Sequence, residues 1–249
     1  MFEVSPDAYG RFMGRYSWPL APLFLDAVAA PAAGRALDVG CGSGALTGVL
    51  VDRLGVGSVS AADPSEPLVT GLAERFPGLD VRIAPAEDLP FPDDQYDAVL
   101  AQLVVHFMAD PVRGIAEMAR TARPGGVVAA CVWDGATGPL ADFWSAVRTI
   151  DPAAVDESRL NGAREGHLAE LFARSGLDDV AAGSVTVTIA HTGFDDWWEP
   201  YTLGVGPAGA YVAGLDAQGR AEIRESCRAR MPDGPFSTSA TAWTARGIA

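Results

Sequence analysis

Cysteine is scarce: Cys41, Cys131 and Cys227 are the only three among 249 residues, far apart and in no CxxC pair. That argues against a disulfide framework and a thiolate zinc site, and fits reduced thiols. Long apolar runs are missing as well. No uninterrupted stretch approaches the roughly 20 residues that span a bilayer, and no cationic start leads into an apolar h-region. The expectation is a cytoplasmic protein with no membrane partner. Positive charge is in short supply, with 18 basic against 32 acidic residues and a net charge of -14, which opposes phosphate backbones and excludes nucleic acid as a natural partner. Repeats, low-complexity tracts and linkers are absent. So are a GxxxxGK[ST] phosphate loop and a nucleophile elbow, since Cys41 and Ala45 stand where the elbow around Ser43 needs glycines. What is there, 49% hydrophobic and 20% charged, suffices for a sizeable core.

Short apolar runs alternate with helical patterns. Strands are expected near 35–40, 58–63, 80–84, 96–103 and 127–133, and helices near 44–54, 65–76 and 111–122. This is the rhythm of an α/β fold with a doubly wound, mostly parallel sheet covered on both faces. Beyond residue 134 helices near 139–149, 165–175 and 217–230 bracket two later strands, near 180–190 and 237–246, which suggest an antiparallel pair on one edge.

The stretch RALDVGCGSGALTGVL, residues 35–50, joins the first strand to the first helix through Gly40, Gly42 and Gly44. Glycine permits positive φ and leaves no Cβ between backbone and ligand, and in doubly wound sheets this turn borders the ligand crevice. Asp63 closes the second strand 23 positions after Gly40, where a carboxylate can accept both hydroxyls of a ribose. An adenosine-bearing cofactor follows. Gly40-x-Gly42-x-x-Ala45 also satisfies the dinucleotide fingerprint, so an NAD(P)-dependent oxidoreductase stays open on these residues alone.

Four motifs in register carry more. Asp38-Val39-Gly40-Cys41-Gly42-Ser43-Gly44, Asp63 in AADPSEPLV, AEDLPFPDDQYDAVLAQ at 86–102 and ARPGGVV at 122–128 together resemble the Rossmann-like (class I) S-adenosylmethionine-dependent methyltransferases of the small-molecule type. The resemblance implies a seven-stranded sheet whose last strand is antiparallel, in one domain over 1–249. Within it, 1–33 would be an N-terminal helical cap, 34–134 the cofactor-binding core and 135–249 a C-terminal part with a late helical insertion on the substrate side. It implies S-adenosyl-L-methionine as cofactor and a small-molecule acceptor as partner. Asp38, Gly40, Cys41, Gly42 and Gly44 would pass its methionine part, Asp63 with Pro64 its ribose, Ala86 and Glu87 its adenine, and Ala101 and Gln102 the transferred methyl. The Arg123–Gly126 turn would be structural. One position departs from the pattern: Pro85 stands where many relatives carry an acid for the adenine amine, leaving adenine to backbone around Ala86 and to Glu87 or Asp88.

Three regions outside these motifs bear on chemistry. His106, after the fourth strand, is the candidate proton acceptor, with a pKa expected near operating pH; a packed structural histidine is the alternative. His167 and His191 read as structural or surface residues, and Asp93-Asp94 as a solvated turn, so no metal is expected. The N-terminal stretch YGRFMGRYSW offers Arg15 for the methionine carboxylate and Tyr16 and Trp18 for the substrate; a helix that only caps the sheet is the alternative. FDDWWEPY at 194–201 offers Trp197 and Trp198 as an opposite wall, or as packing anchors. A cofactor-binding protein without transfer activity is the remaining reading.

Overall fold

The order of strands explains why the chain's loops meet where they do. A computed structural model describes residues 10–249; Tyr9 and the rest of residues 1–9 of the expected cap lie outside the described residues. Seven strands run β1 Ala36–Val39, β2 Val59–Asp63, β3 Asp80–Ile83, β4 Tyr96–Gln102, β5 Ala122–Trp133, β6 Asp178–His191 and β7 Phe236–Ile248. They lie in the order β3-β2-β1-β4-β5-β7-β6. The first five pair in parallel, and β7 slots between β5 and β6 antiparallel to both. The order reverses between β1 and β4, so their carboxyl ends open a crevice.

The predicted strands all form, and one differs in extent. β5 starts at Ala122 rather than 127, because Arg123–Gly126 loops out of register between the pairs Tyr96↔Ala122 and Ala98↔Val127. A Cβ on Gly126 would lie 2.7 Å from the Arg123 carbonyl and 3.1 Å from that of Tyr96, so only glycine fits this bulge.

Both faces of the central strands are covered, which is why β1 and β2 are buried at every position. On one face lie α1 Arg15–Ala27, preceded by a π-helical turn Gly10–Gly14, and α2 Ala45–Leu54; Leu20, Phe24, Leu46 and Leu50 pack there on Ala36, Ala61 and Leu100. α3 Glu66–Arg75 adds Leu72 to the same cluster. On the other face are α4 Pro111–Thr121 and α6 His167–Arg174, whose Ile115, Met118, Leu168 and Phe172 meet Val99, Ala101 and Val128. α4 starts where Asp110 accepts the Arg113 N–H at 3.1 Å and Pro111 supplies a pre-set φ.

A third cluster caps the carboxyl end of the sheet. α5 Ala141–Val147, α7 Phe194–Trp198, α8 Gly206–Gly214 and α9 Ala217–Arg228 enclose Phe12, Phe143, Trp144, Trp197, Trp198 and Tyr201. Tyr201 is stacked on Phe143 at 4.5 Å between centroids and takes Phe12 edge-on at 5.0 Å. No described helix is long and apolar enough to cross a membrane.

Candidate active site

β1 ends at Val39, and the turn after it is sewn to β2: the N–H groups of Gly40 and Cys41 both donate to the Ala62 carbonyl, at 2.7 and 3.0 Å. Gly40, Gly42 and Gly44 all have positive φ, 72°, 52° and 85°, but their missing side chains serve different ends. A Cβ on Gly40 would strike Val104 at 2.4 Å and one on Gly44 would strike Leu72 at 2.4 Å, whereas nothing lies within 4 Å of the same position on Gly42. Gly40 and Gly44 make room for the protein itself. Gly42 leaves room for something else.

The Gly42 N–H donates to Asp63 Oδ2 at 2.9 Å, and the Ser65 N–H donates to Oδ1 at 2.9 Å. Asp63 is 8% exposed; burial raises its pKa, and the two N–H donors pull it back. Asp38 lies beneath, fully buried, with Thr47 Oγ1 donating to its Oδ2 at 2.5 Å. Burial pushes its pKa up to about 7, the Thr47 hydroxyl opposing and the Asp63 charge adding to it. The Cys41 thiol, buried beside both acids, is raised well above its usual value.

The β3 side closes the same crevice. The Ala84 N–H donates to the Asp63 carbonyl at 3.1 Å, and Pro85–Asp88 makes a turn closed by an N–H donated from Asp88 to the Pro85 carbonyl at 3.3 Å. Ala86 is buried, Pro64 is exposed, and Glu87 Oε1 accepts the Asp110 N–H at 3.2 Å. Glu87 is thereby anchored at the start of α4 with acceptor capacity left over.

At the end of β4, Ala101 is buried and Gln102 donates from Nε2 to the Ser17 carbonyl at 2.9 Å. Gln102 Oε1 and Ser17 Oγ are buried with no partner. Leu103 follows with φ 63°, a left-handed conformation that a leucine rarely adopts, and turns the chain toward Val105–Phe107. His106 packs on Phe107 at 3.9 Å between ring centroids, and its buried Nδ1 has no partner. Burial pushes its pKa down to about 4, not near neutrality as expected, because no carboxylate stands by to stabilise the imidazolium.

The expected N-terminal residues separate. Arg15 does not reach toward the glycine loop: its guanidinium donates to Asp196 Oδ1 at 2.9 Å and to the Asp196 carbonyl at 3.1 Å, and lies 3.3 Å from His191 Nδ1. The Thr192 N–H, opposed by burial and helped by Arg15, holds the Asp196 carboxyl below its usual range, so this is a settled ion pair. Trp18 lies on the other side of α1, with the Arg75 guanidinium 4.6 Å from its ring. Arg75 in turn donates to the Ser43 carbonyl at 3.2 Å. Tyr16 is buried edge-on to Trp133 at 6.3 Å. Trp197 and Trp198, 2% and 7% exposed, pack in the cap cluster rather than forming an open wall; Trp198 also borders an acid-lined recess of about 530 Å³ with Asp195, Asp196 and Glu199. Among the histidines, His191 is held by Arg15 and by Thr238 at 2.9 Å, and His167 Nδ1 accepts the Gly162 N–H at 3.3 Å.

Several residues here carry no motif. Thr47 had a faint signal, a hydroxyl one turn into α2 below a buried acid. Ser17 and Asp196 had none, because each reaches the site from a segment far away in sequence.

A family model described as a methyltransferase domain matches residues 37–130. An uncharacterized methyltransferase of Mycobacterium tuberculosis is 40% identical over 125 residues, 50% of this chain and 49% of that protein, so the chain matches about half of its length. An uncharacterized protein of the same species is 30% identical over 245 residues, covering 92% of this chain and 86% of that protein. A solved structure of a candidate type II methyltransferase from Anaeromyxobacter dehalogenans shares the fold at a TM-score of 0.65 with 25% identity, covering 93% of this chain and 95% of that one. With the glycine turn, the acid closing β2 and the β7 insertion in the sheet, the chain has the Rossmann-like methyltransferase fold and carries a methyltransferase domain over residues 37–130.

Proposed function

We propose that this chain binds S-adenosyl-L-methionine and transfers its methyl group to a small-molecule acceptor. The observation that carries the reading is the clear space over Gly42 in a loop whose N–H is tied to Asp63. Each Asp63 oxygen takes one backbone N–H and keeps lone pairs for ribose hydroxyls. Gln102 Oε1 and Ser17 Oγ, buried and unpartnered, fit an ammonium group, since an unmet buried acceptor is costly until a donor arrives. Adenine falls to backbone around Ala86 and to Glu87, whose carboxylate takes the Asp110 N–H on Oε1 and keeps acceptor capacity for the adenine amine.

A bound sulfonium supplies an activated methyl, which leaves the protein alignment, exclusion of water and, where needed, proton removal. His106 is neutral at pH 7 and can take a proton at Nδ1. With a pKa of about 4 it serves only a nucleophile that gives its proton up easily. The aromatic cap excludes water, and the net charge of -14 disfavours a polyanionic acceptor.

Calorimetry with S-adenosylhomocysteine and with NAD tests the reading. Wild type should bind the first and not the second, and Asp63→Ala should lose roughly 1.5 to 3 kcal/mol of binding while staying folded. Binding of NAD alone, or unchanged affinity in the variant, overturns it. Transfer of labelled methyl to small molecules of a cell extract, lost or slowed in His106→Ala, tests the acceptor class and the base.

A further inference from the structure

Arg75, in the last turn of α3, is a cation without an ion-pair partner among the described residues, in a chain where acids outnumber bases 32 to 18. Rings hold its guanidinium instead. It lies 4.6 Å from the centroid of Trp18 on α1 and 4.8 Å from that of Phe76, the residue that caps α3. The stack rests on α2: a Cβ on Gly48 would lie 3.6 Å from Arg75 Nη2, 3.7 Å from Phe76 Cζ and 3.8 Å from Trp18 Cζ3. Three helices therefore meet at one guanidinium, at a helix C-terminus whose dipole favours a cation.

What this stack holds is the glycine turn. Arg75 Nη1 donates to the Ser43 carbonyl at 3.2 Å, and the N–H of the same peptide, that of Gly44, donates to the Cys41 carbonyl at 2.9 Å. The Ser43–Gly44 peptide is thus fixed at both ends. α2 supplies the Ser43 carbonyl with no N–H of its own, because the ladder of the helix begins one residue later, where the Gly44 carbonyl takes the Gly48 N–H at 3.0 Å. A turn of alternating glycines has wide backbone freedom, so an anchor on this carbonyl narrows it to the shape that leaves Gly42 clear. The residue before Trp18 touches the opposite wall of the crevice, since the Ser17 carbonyl accepts from Gln102 at the end of β4.

Resting on the methyl-transfer reading, we propose that Arg75 is a positioning residue that fixes the Ser43–Gly44 peptide for the amino-acid half of S-adenosylmethionine, and that Trp18 acts through it. A planar guanidinium can lie against aromatic rings and still donate in its own plane, which a compact ammonium cannot do. The rings restrict a long side chain that would otherwise sample many rotamers, so the ordering cost is met before the cofactor arrives. Ribose and adenine fall to Asp63 and to the turn at Ala86 and Glu87, on β2 and after β3. The effect of Arg75 is therefore confined to the part of the cofactor that passes the turn.

The experiment compares, by calorimetry on the full chain, S-adenosylhomocysteine with 5′-methylthioadenosine, which keeps the adenine, ribose and sulfur and lacks the amino-acid part. Arg75→Gln should weaken S-adenosylhomocysteine roughly fivefold or more and leave 5′-methylthioadenosine within about twofold. Arg75→Lys, which keeps the charge without the plane, should recover only part of the loss. Trp18→Ala should weaken S-adenosylhomocysteine about two- to threefold, and should add nothing to Arg75→Gln in the double variant. Thermal melts of the same samples give the folded fraction, and Trp18→Phe, with a smaller loss in the same ligand alone, stands in should Trp18→Ala fail to fold. Equal losses for the two ligands, unchanged S-adenosylhomocysteine affinity in Arg75→Gln, or effects of the two substitutions that multiply overturn the proposal. Wild type that binds neither ligand removes the methyl-transfer reading and the positioning role with it; wild type that binds both, with a ratio that Arg75→Gln leaves alone, removes the positioning role only.

Discussion

The crevice at β1, β2 and β4 and the aromatic cap above it hold their polar groups by opposite means. In the crevice, backbone N–H groups and short acids are fixed within a few residues of strand ends: Asp63 takes Gly42 and Ser65, and Asp38 takes Thr47. In the cap, the residues come from distant segments and meet through rings. Strand ends can position a ligand rigidly because the sheet already holds them. A cap assembled from side chains is held by its own burial, so its specificity and its stability draw on the same residues.

The sharpest break of this comparison is at Gly42. Gly42→Val should abolish S-adenosylhomocysteine binding at a cost in folding of about 1 to 2 kcal/mol for a β-branched residue at positive φ. Gly40→Val, which strikes Val104, should destabilise more strongly. Calorimetry and thermal melts of the pair check this, and equal binding by wild type and Gly42→Val would mean that the open space is not the cofactor's.

Next in size is the cap. Trp197→Ala should cost about 3 to 5 kcal/mol of stability, as large aromatic truncations in a core do, with S-adenosylhomocysteine affinity of the folded fraction unchanged. A variant as stable as wild type would show the ring to be an open wall after all.

The buried acid beneath the loop comes third. Because the folded-state pKa of Asp38 is raised to about 7, the folded chain favours the protonated form, and this residue's contribution falls as pH rises from about 4 to about 7, by roughly 1.4 kcal/mol per unit at most. Asp38→Asn keeps an oxygen for Thr47 and removes that slope. Its stability advantage over wild type should be absent near the bottom of the window and full above the top. Denaturant unfolding across that range measures it, and a constant difference refutes the assignment.

Smallest is Arg15→Gln, which breaks a partly exposed ion pair and should cost at most about 1 kcal/mol with unchanged S-adenosylhomocysteine affinity. A marked loss of affinity would return Arg15 to the crevice.

Sequence alone determined the parallel strands, the helices between them, the glycine turn and the acid at the end of β2. Each is written in local periodicity or in residues a few positions apart, and backbone sterics act at that range. Even the antiparallel last strand was legible through the family motifs. Tertiary structure alone decided the partners of the long side chains. Arg15 was drawn to Asp196 because the late helix α7 folds back over α1, and Trp197 and Trp198 became core because Phe12, Phe143 and Tyr201 arrived around them. The three glycines, alike in sequence, were told apart only by which of them had Val104, Leu72 or nothing above it. His106 lost its expected pKa for the same reason, since burial and the absence of a neighbouring carboxylate are properties of what surrounds a residue, and segments distant in sequence supply those surroundings.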